Sequence, residues 1–228
     1  MRGMIKVLRT LPLFLLLAMS CSHDRPPAGM SVPDYVPLSP GRFNDFDVTR
    51  TTYSEISSPE IRQYVSRQAV TDSVRDSNNR LIFKLGHFVL NDGVWKLDSV
   101  TAVWRTHDSV IRQENGKPVL IMLFPLSDGN RWNGNYYNNV SELLFYCVHA
   151  GRPLQAGLLN FPETVTIIRQ DDSTLLSRKK YIEIYARNVG LIKTEKIFLE
   201  YCSTPDCRGK GIIQSGWKEL STIKNFGE

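Results

Sequence analysis

Residues 80–106 read Arg80-Leu-Ile-Phe-Lys-Leu-Gly-His-Phe-Val-Leu-Asn-Asp-Gly-Val-Trp-Lys-Leu-Asp-Ser-Val-Thr-Ala-Val-Trp-Arg-Thr106, and their pattern decides the fold class. A period of two places Leu81, Phe83, Leu85 and Val89 on one face of residues 80–90. Asn91-Asp92-Gly93 then reverses the chain, Asp-Gly being among the strongest short hairpin signals. In the returning strand, Val94, Val100, Ala102 and Trp104 share one face with Lys96 and Asp98, while Trp95, Leu97 and Val103 share the other. Both faces are part-apolar, unlike a simple antiparallel sheet with one wet side. The stretch predicts a strand pair in a sheet that buries surface on both sides.

The same grammar runs outward in both directions. Residues 47–54 are rich in Thr and Tyr, and Val65, Val70, Thr71 and Val74 favour a strand over residues 61–75, although Ser58-Pro59 is a possible helix start. Asn115-Gly116 is a second hairpin turn, between strands expected at 109–113 and 117–124. Further strands are expected at 142–149, 163–170, 178–187 and 189–202, the last two joined at Asn188-Val189-Gly190. This is a mainly β chain of about ten strands with few or no long helices. So large an antiparallel sheet tends to curl or close on itself, giving a half-barrel or incomplete barrel. Gln214-Ser215-Gly216, near the C-terminus, reads as an ordinary turn.

The N-terminal end is of another kind. Arg2, Lys6 and Arg9 precede an apolar run from Leu11, which ends in Ala18-Met19-Ser20-Cys21. A basic head, a short apolar run and a small-residue junction make a secretory signal, too short to span a bilayer as a mature helix. The junction resembles a bacterial lipobox, which implies cleavage before Cys21 and its diacylation. Two acyl chains suffice for stable membrane anchoring. Ser22 follows Cys21, not the Asp that retains many lipoproteins in the inner membrane, so the expected location is the outer membrane. Residues 22–44 hold five prolines and suit a flexible tether, leaving 45–228 as a single β-domain.

The whole chain has 28 basic and 23 acidic residues; without the three in the leader the balance is 25 to 23. The basic pI of 9.0 therefore gives no case for a nucleic-acid partner. With Cys21 lipidated, Cys147, Cys202 and Cys207 remain for an oxidising compartment. The Pro-Asp turn between Cys202 and Cys207 favours that local disulfide, and Cys147 suits a buried thiol; a bridge from Cys147 to either of the others is the alternative.

Two segments resemble uncharacterised bacterial envelope lipoproteins. Phe124-Pro-Leu-Ser-Asp-Gly-Asn-Arg-Trp-Asn-Gly-Asn135 is similar to their pattern of strand, Pro, then Gly-x-x-Trp and Asn. Tyr185-Ala-Arg-Asn-Val-Gly-Leu-Ile-Lys-Thr-Glu195 looks like their Tyr-Ala-Lys-Gly-Val-Gly-Leu-Val-Lys-x-Glu, with Arg187 and Asn188 in place of Lys and Gly. The resemblance implies an antiparallel half-barrel, loosely like the lipoprotein-localisation carriers that cup acyl chains. It implies no activity.

No residue pattern supplies a reaction centre. His23, His87, His107 and His149 are dispersed and lack ligand-pair spacing, so neither a metal nor another cofactor is expected. The nucleophile elbow, phosphate-cradling loops and the dinucleotide fingerprint are missing from the sequence. Glu183 and Glu195 fall on neighbouring strands among Lys179, Lys193 and Lys196, which predicts cross-strand ion pairs on a solvated face. Trp132, Asn133 and Asn135 form a possible loop site for a sugar, through ring stacking and amide hydrogen bonds. The leading expectation is a non-enzymatic, lipid-anchored β-domain that binds an apolar or envelope ligand on a concave face. Phe83, Phe88, Trp95, Trp104, Tyr181 and Tyr185 are the residues expected there, Trp104 in the wall. The other readings are an interaction module for an envelope protein partner, with a self-filled core, and, more remotely, a glycosidase.

Overall fold

The computed structural model describes residues 34–228; the leader, Cys21 and most of the expected tether lie outside the described residues. Twelve strands form a single sheet: β1 (Phe43–Ser54), β2 (Ser57–Arg75), β3 (Leu81–Asn91), β4 (Val94–Arg105), β5 (Ser109–Glu114), β6 (Lys117–Leu123), β7 (Arg131–Asn133), β8 (Leu144–Ala156), β9 (Leu159–Ser173), β10 (Ser177–Ala186), β11 (Gly190–Tyr201) and β12 (Ile213–Gly227). The sheet order is β6-β5-β4-β3-β2-β1-β12-β11-β10-β9-β8-β7, antiparallel throughout, and the described residues include no helix. Two six-strand meanders are thus sewn together by the pairing of β1 with β12.

The expected curled sheet is found, nearly closed into a barrel. Its two free edges, β6 and β7, are consecutive in sequence and meet through a few bonds. Leu120 N donates to Gly134 O (2.8 Å), Trp132 Nε1 to Leu120 O (2.9 Å) and Asn138 Nδ2 to Pro118 O (2.8 Å). These bonds cover part of the two edges that an open twelve-stranded sheet would present for aggregation.

Of the two strands beyond the expected ten, β12 matters more. Gln214-Ser215-Gly216 is no turn but part of this strand, which pairs with both β1 and β11. Gly216 adopts φ 118, and an added Cβ would collide with the Phe198 carbonyl on β11. The position therefore requires glycine. The expected 188–190 join is a tight turn, with Asn188 at φ 61 and Gly190 at φ 99. Both sit in the backbone region that Asn and Gly tolerate best.

The tether boundary needs correction. Residues 34–42 are not free chain but a plug across one end of the barrel, and β1 begins at Phe43. Tyr35 is 3% exposed, and its hydroxyl donates to Glu163 (3.2 Å). Arg105 bonds both Asp34 and the Val36 carbonyl, and Asn188 N donates to Asp34 O (2.6 Å). Proline blocked regular secondary structure here, as expected, but it did not block packing. Behind the plug lies an apolar core that includes Phe145, Cys147, Val165, Ile167 and Ile121.

Candidate functional site

The opposite end of the barrel is built differently. Alternation along β1, β2, β10, β11 and β12 brings Val48, Tyr64, Tyr181, Glu183, Lys196 and Glu219 onto the inner face. They surround a cavity of about 560 Å³. Such a volume falls within the range of ~300–1,000 Å³ usual for small-molecule pockets. The wall has a lateral gap. β4 pairs with β5 only over Val103–Arg105, so Ser99 and Thr101 form one lip and Arg112, Glu114 and Asn115 the other.

The cavity floor is a buried charge network linking strands on opposite sides of the barrel. Arg112 on β5 donates to Glu183 on β10 (2.7 Å) and pairs with Glu114 (2.6 Å). Arg169 on β9 holds both oxygens of Glu114 (2.9 and 2.7 Å) and lies 3.5 Å from Glu183. Tyr181 and Tyr185 donate their hydroxyls to the two oxygens of Glu183 (2.9 and 3.0 Å). Two guanidinium groups thus face two carboxylates, and the charges balance. A buried ion cluster becomes tolerable only when paired and hydrogen-bonded in this way.

Glu183 is 1% exposed, so the solvated-face expectation for it fails. The late strands do alternate, but curling turned one of their faces inward. Glu195, on the other face, pairs with Lys180 (2.8 Å). Burial alone would raise the Glu183 carboxyl; Arg112 and Arg169 more than reverse this and hold it at about 2. Burial likewise opposes ionisation of Glu114, and the same two arginines hold it below its ordinary value. Tyr181 and Tyr185 are pushed up by burial, then by the Glu183 charge, and stay protonated as donors. His87 lines the cavity with Nε2 3.0 Å from Thr101 Oγ1; burial pulls its pKa down to about 4, so the ring is neutral. Burial also lowers Lys196, partly opposed by Glu183 and Glu219.

The six aromatic residues expected on the concave face divide. Tyr181 and Tyr185 are inside, in the charge network, and Phe83 shares the inward face of its partner Val103. Trp104 and Trp95 lie on the outer face, whereas Phe88 borders the cavity next to His87 and Val89. Trp104 borders a separate depression with Arg80, Ile82 and Ala102, and the Arg80 guanidinium stacks on it at 4.7 Å. Trp95 and Phe43 sandwich Arg67 (4.3 and 4.1 Å), which also holds both oxygens of Asp45. The cause is a bulge. His87 pairs with Ser99 but Phe88 with Leu97, so Asp98 is an extra residue that flips the alternation along β4. Trp95 therefore joins Trp104 outside, where strict period two had placed them on opposite faces.

The expected loop site is also corrected. Trp132 is 5% exposed, packs edge-on to Phe145 and donates its Nε1 hydrogen to Leu120 O. Asn133 Oδ1 accepts from the backbone of Asn135 and Leu143, and Asn135 Nδ2 donates to Ser141 O. Trp132, Asn133 and Asn135 are thus engaged within the loop, which serves as the clasp between β6 and β7, and do not form the expected sugar site. The rings this loop exposes are Tyr136 and Tyr137. Cys202 and Cys207 form the local disulfide, and Cys147 is a buried free thiol that burial pushes up to about 11. Among the described residues, no group of three His, Cys, Asp or Glu is placed to hold a metal ion.

Arg112, Arg169 and Glu114 of the floor, and Tyr64, Trp217 and Glu219 of the wall, are site residues that sequence reasoning missed. A signal existed: Arg112 and Arg169 each sit in an otherwise strand-forming, apolar run, Val-Ile-Arg and Ile-Ile-Arg. A charge inside such a run points either to solvent or to a buried partner, and only the tertiary fold names the partner. No protein-family model, curated protein or solved structure matches this chain.

Proposed function

We propose that this chain is a bacterial envelope lipoprotein, anchored to the outer membrane through Cys21, whose barrel binds a small ligand without transforming it. The observation that carries the binding part is the 560 Å³ cavity, with polar and apolar groups sharing its wall. The expectation of an apolar or envelope ligand narrows accordingly: the ligand that fits is amphiphilic. Phe46, Val48, Phe198 and Trp217 supply the apolar wall, while Tyr64, Lys196 and Glu219 supply polar groups. Glu114 and Glu183 share the cavity, yet both carboxyls are held ionised, whereas glycoside hydrolysis needs one kept protonated. That supports binding over catalysis. The anchoring part rests on the Ala18-Met19-Ser20-Cys21 junction and on the resemblance to envelope lipoproteins.

Titration with a fluorescent fatty-acid analogue tests the binding part. Wild type should bind saturably; Trp217→Ala should weaken binding several-fold, and Trp104→Ala, on the outer face, should leave it unchanged. Loss of binding on Trp104→Ala alone would move the site to the outside. Intact mass tests the anchor: a mature chain that does not begin at a diacylated Cys21 ends that part of the reading.

A second reading, an interaction module, draws on β4. Its edge from Val94 to Ala102 lacks a partner on the β5 side, and Val94, Leu97 and Val100 are exposed. Unpaired edges with apolar side chains are templates for strand addition. Binding of an envelope protein that survives Trp217→Ala but not Leu97→Lys would favour this reading.

A further inference from the structure

We propose that the cavity selects an amphiphile carrying a single negative charge, its acidic group seated against the Lys196 ammonium. This rests on the ligand-binding reading above and narrows it to a ligand class. The argument is a charge account of the wall. Arg112 and Arg169 are balanced by Glu114 and Glu183. Glu219 is paired with Arg50 (3.0 Å) and accepts from Tyr64 (3.4 Å). The His87 ring is bonded to Thr101 and adds no charge. Asp98 lies at the exposed lip, where it takes the Ser99 hydroxyl.

Arg67, also at the wall, is paired with Asp45 (2.6 Å), so Lys196 is what remains. It lines the cavity between its cross-strand neighbours Tyr181 and Glu219, its Nζ rests 4.9 Å from the Tyr181 ring centre, and it makes no ion pair among the described residues. Its nearest carboxylates, Glu219 and Glu183, are already paired with Arg50 and with Arg112 and Arg169. This half-buried ammonium therefore lacks a counter-charge of its own, and desolvated charge calls for one. One positive charge is neutralised by one negative charge. A carboxylate supplies that, with oxygens able to accept from both Lys196 and nearby hydroxyls. Val48, Val89, Leu191, Phe198 and Trp217 line the same space and suit a hydrocarbon portion. The lateral gap between β4 and β5 leaves a route by which the chain can enter.

Calorimetry with dodecanoate and dodecanol, which share a chain but not a charge, tests this on the full chain carrying Cys21→Ala. Wild type should prefer dodecanoate by tenfold or more. Lys196→Met should abolish the preference while keeping dodecanol binding, which also reports an intact fold, and Lys196→Arg should restore it. Equal binding of the two probes by wild type, or a preference that survives Lys196→Met, overturns charge selection and leaves the ligand-binding reading standing. Failure of wild type to bind either probe overturns both.

Discussion

The two ends of the barrel solve the same problem with opposite chemistry. At the plugged end, residues 34–42 lie across the mouth and apolar side chains fill the interior, leaving a void of about 60 Å³. At the other end the interior is about 560 Å³ of open space, framed by paired charges and half-buried aromatics. A closed barrel of this many strands is too wide for side chains alone to fill. The chain therefore uses a segment from outside the sheet to complete one half. In the other half it uses a rigid ionic floor in place of packing. The plugged half is filled by its own chain, whereas the open half leaves its interior unfilled.

That contrast can be broken at several points. The largest effect is expected from Glu183→Ala, which strands Arg112 and Arg169 without one of their carboxylates. Breaking a buried ion network by removing one partner costs about 3–5 kcal/mol. Chemical denaturation measures it, and a loss below about 1 kcal/mol would mean that the floor behaves as a solvated surface. Tyr35→Ala probes the plug. Truncating this buried ring and its bond to Glu163 should cost about 2–4 kcal/mol, with cavity ligand affinity unchanged. A matching loss of affinity would show the two ends to be coupled.

Acid should separate the ends, because the buried titratable groups of the floor belong to one of them. His87 falls from 6.5 to about 4 in the folded state, so the unfolded chain takes up its proton first. Its contribution is present above 6.5 and is lost as pH falls from there through about 4. Glu183 is depressed from 4.5 to about 2, so its contribution is present above 4.5 and is lost as pH falls toward about 2. His87→Gln should remove about 1–2 kcal/mol of the upper slope, allowing for partial solvent access. An unaltered slope between these limits would place the acid sensitivity elsewhere. The smallest effect belongs to the Cys202–Cys207 bridge, which closes a short loop. Reduction, or Cys202→Ser with Cys207→Ser, should cost less than about 2 kcal/mol and leave ligand affinity unchanged.

Much of the fold was legible because it is local. The Asn91-Asp92-Gly93 and Asn115-Gly116 turns, the period-two stretches and the length of the strand series each depend on residues close in sequence. β12 was harder to read, since Gly216 breaks its pattern and looks like a turn until Phe198 on β11 is brought against it. The site was scarcely legible. Tyr181 and Tyr185 were expected there for the apolar area of their rings, and the fold places them inside as hydroxyl donors to Glu183. The bulge at Asp98 moved Trp95 outside by a shift of one residue.

The sequence by itself therefore determined a β-sheet of many hairpin-linked strands, its tendency to curl, the local disulfide and the signal-like leader. Turn chemistry, side-chain alternation and short-range spacing are sufficient causes for each. Tertiary structure alone decided that β1 meets β12, that residues 34–42 plug one mouth, and which face of each strand became interior. It also decided that Arg112 and Arg169 meet Glu114 and Glu183 across the barrel. Those outcomes join residues far apart in the chain. Their energies come from desolvation and charge pairing that exist only once the sheet has closed, and no local pattern carries that information.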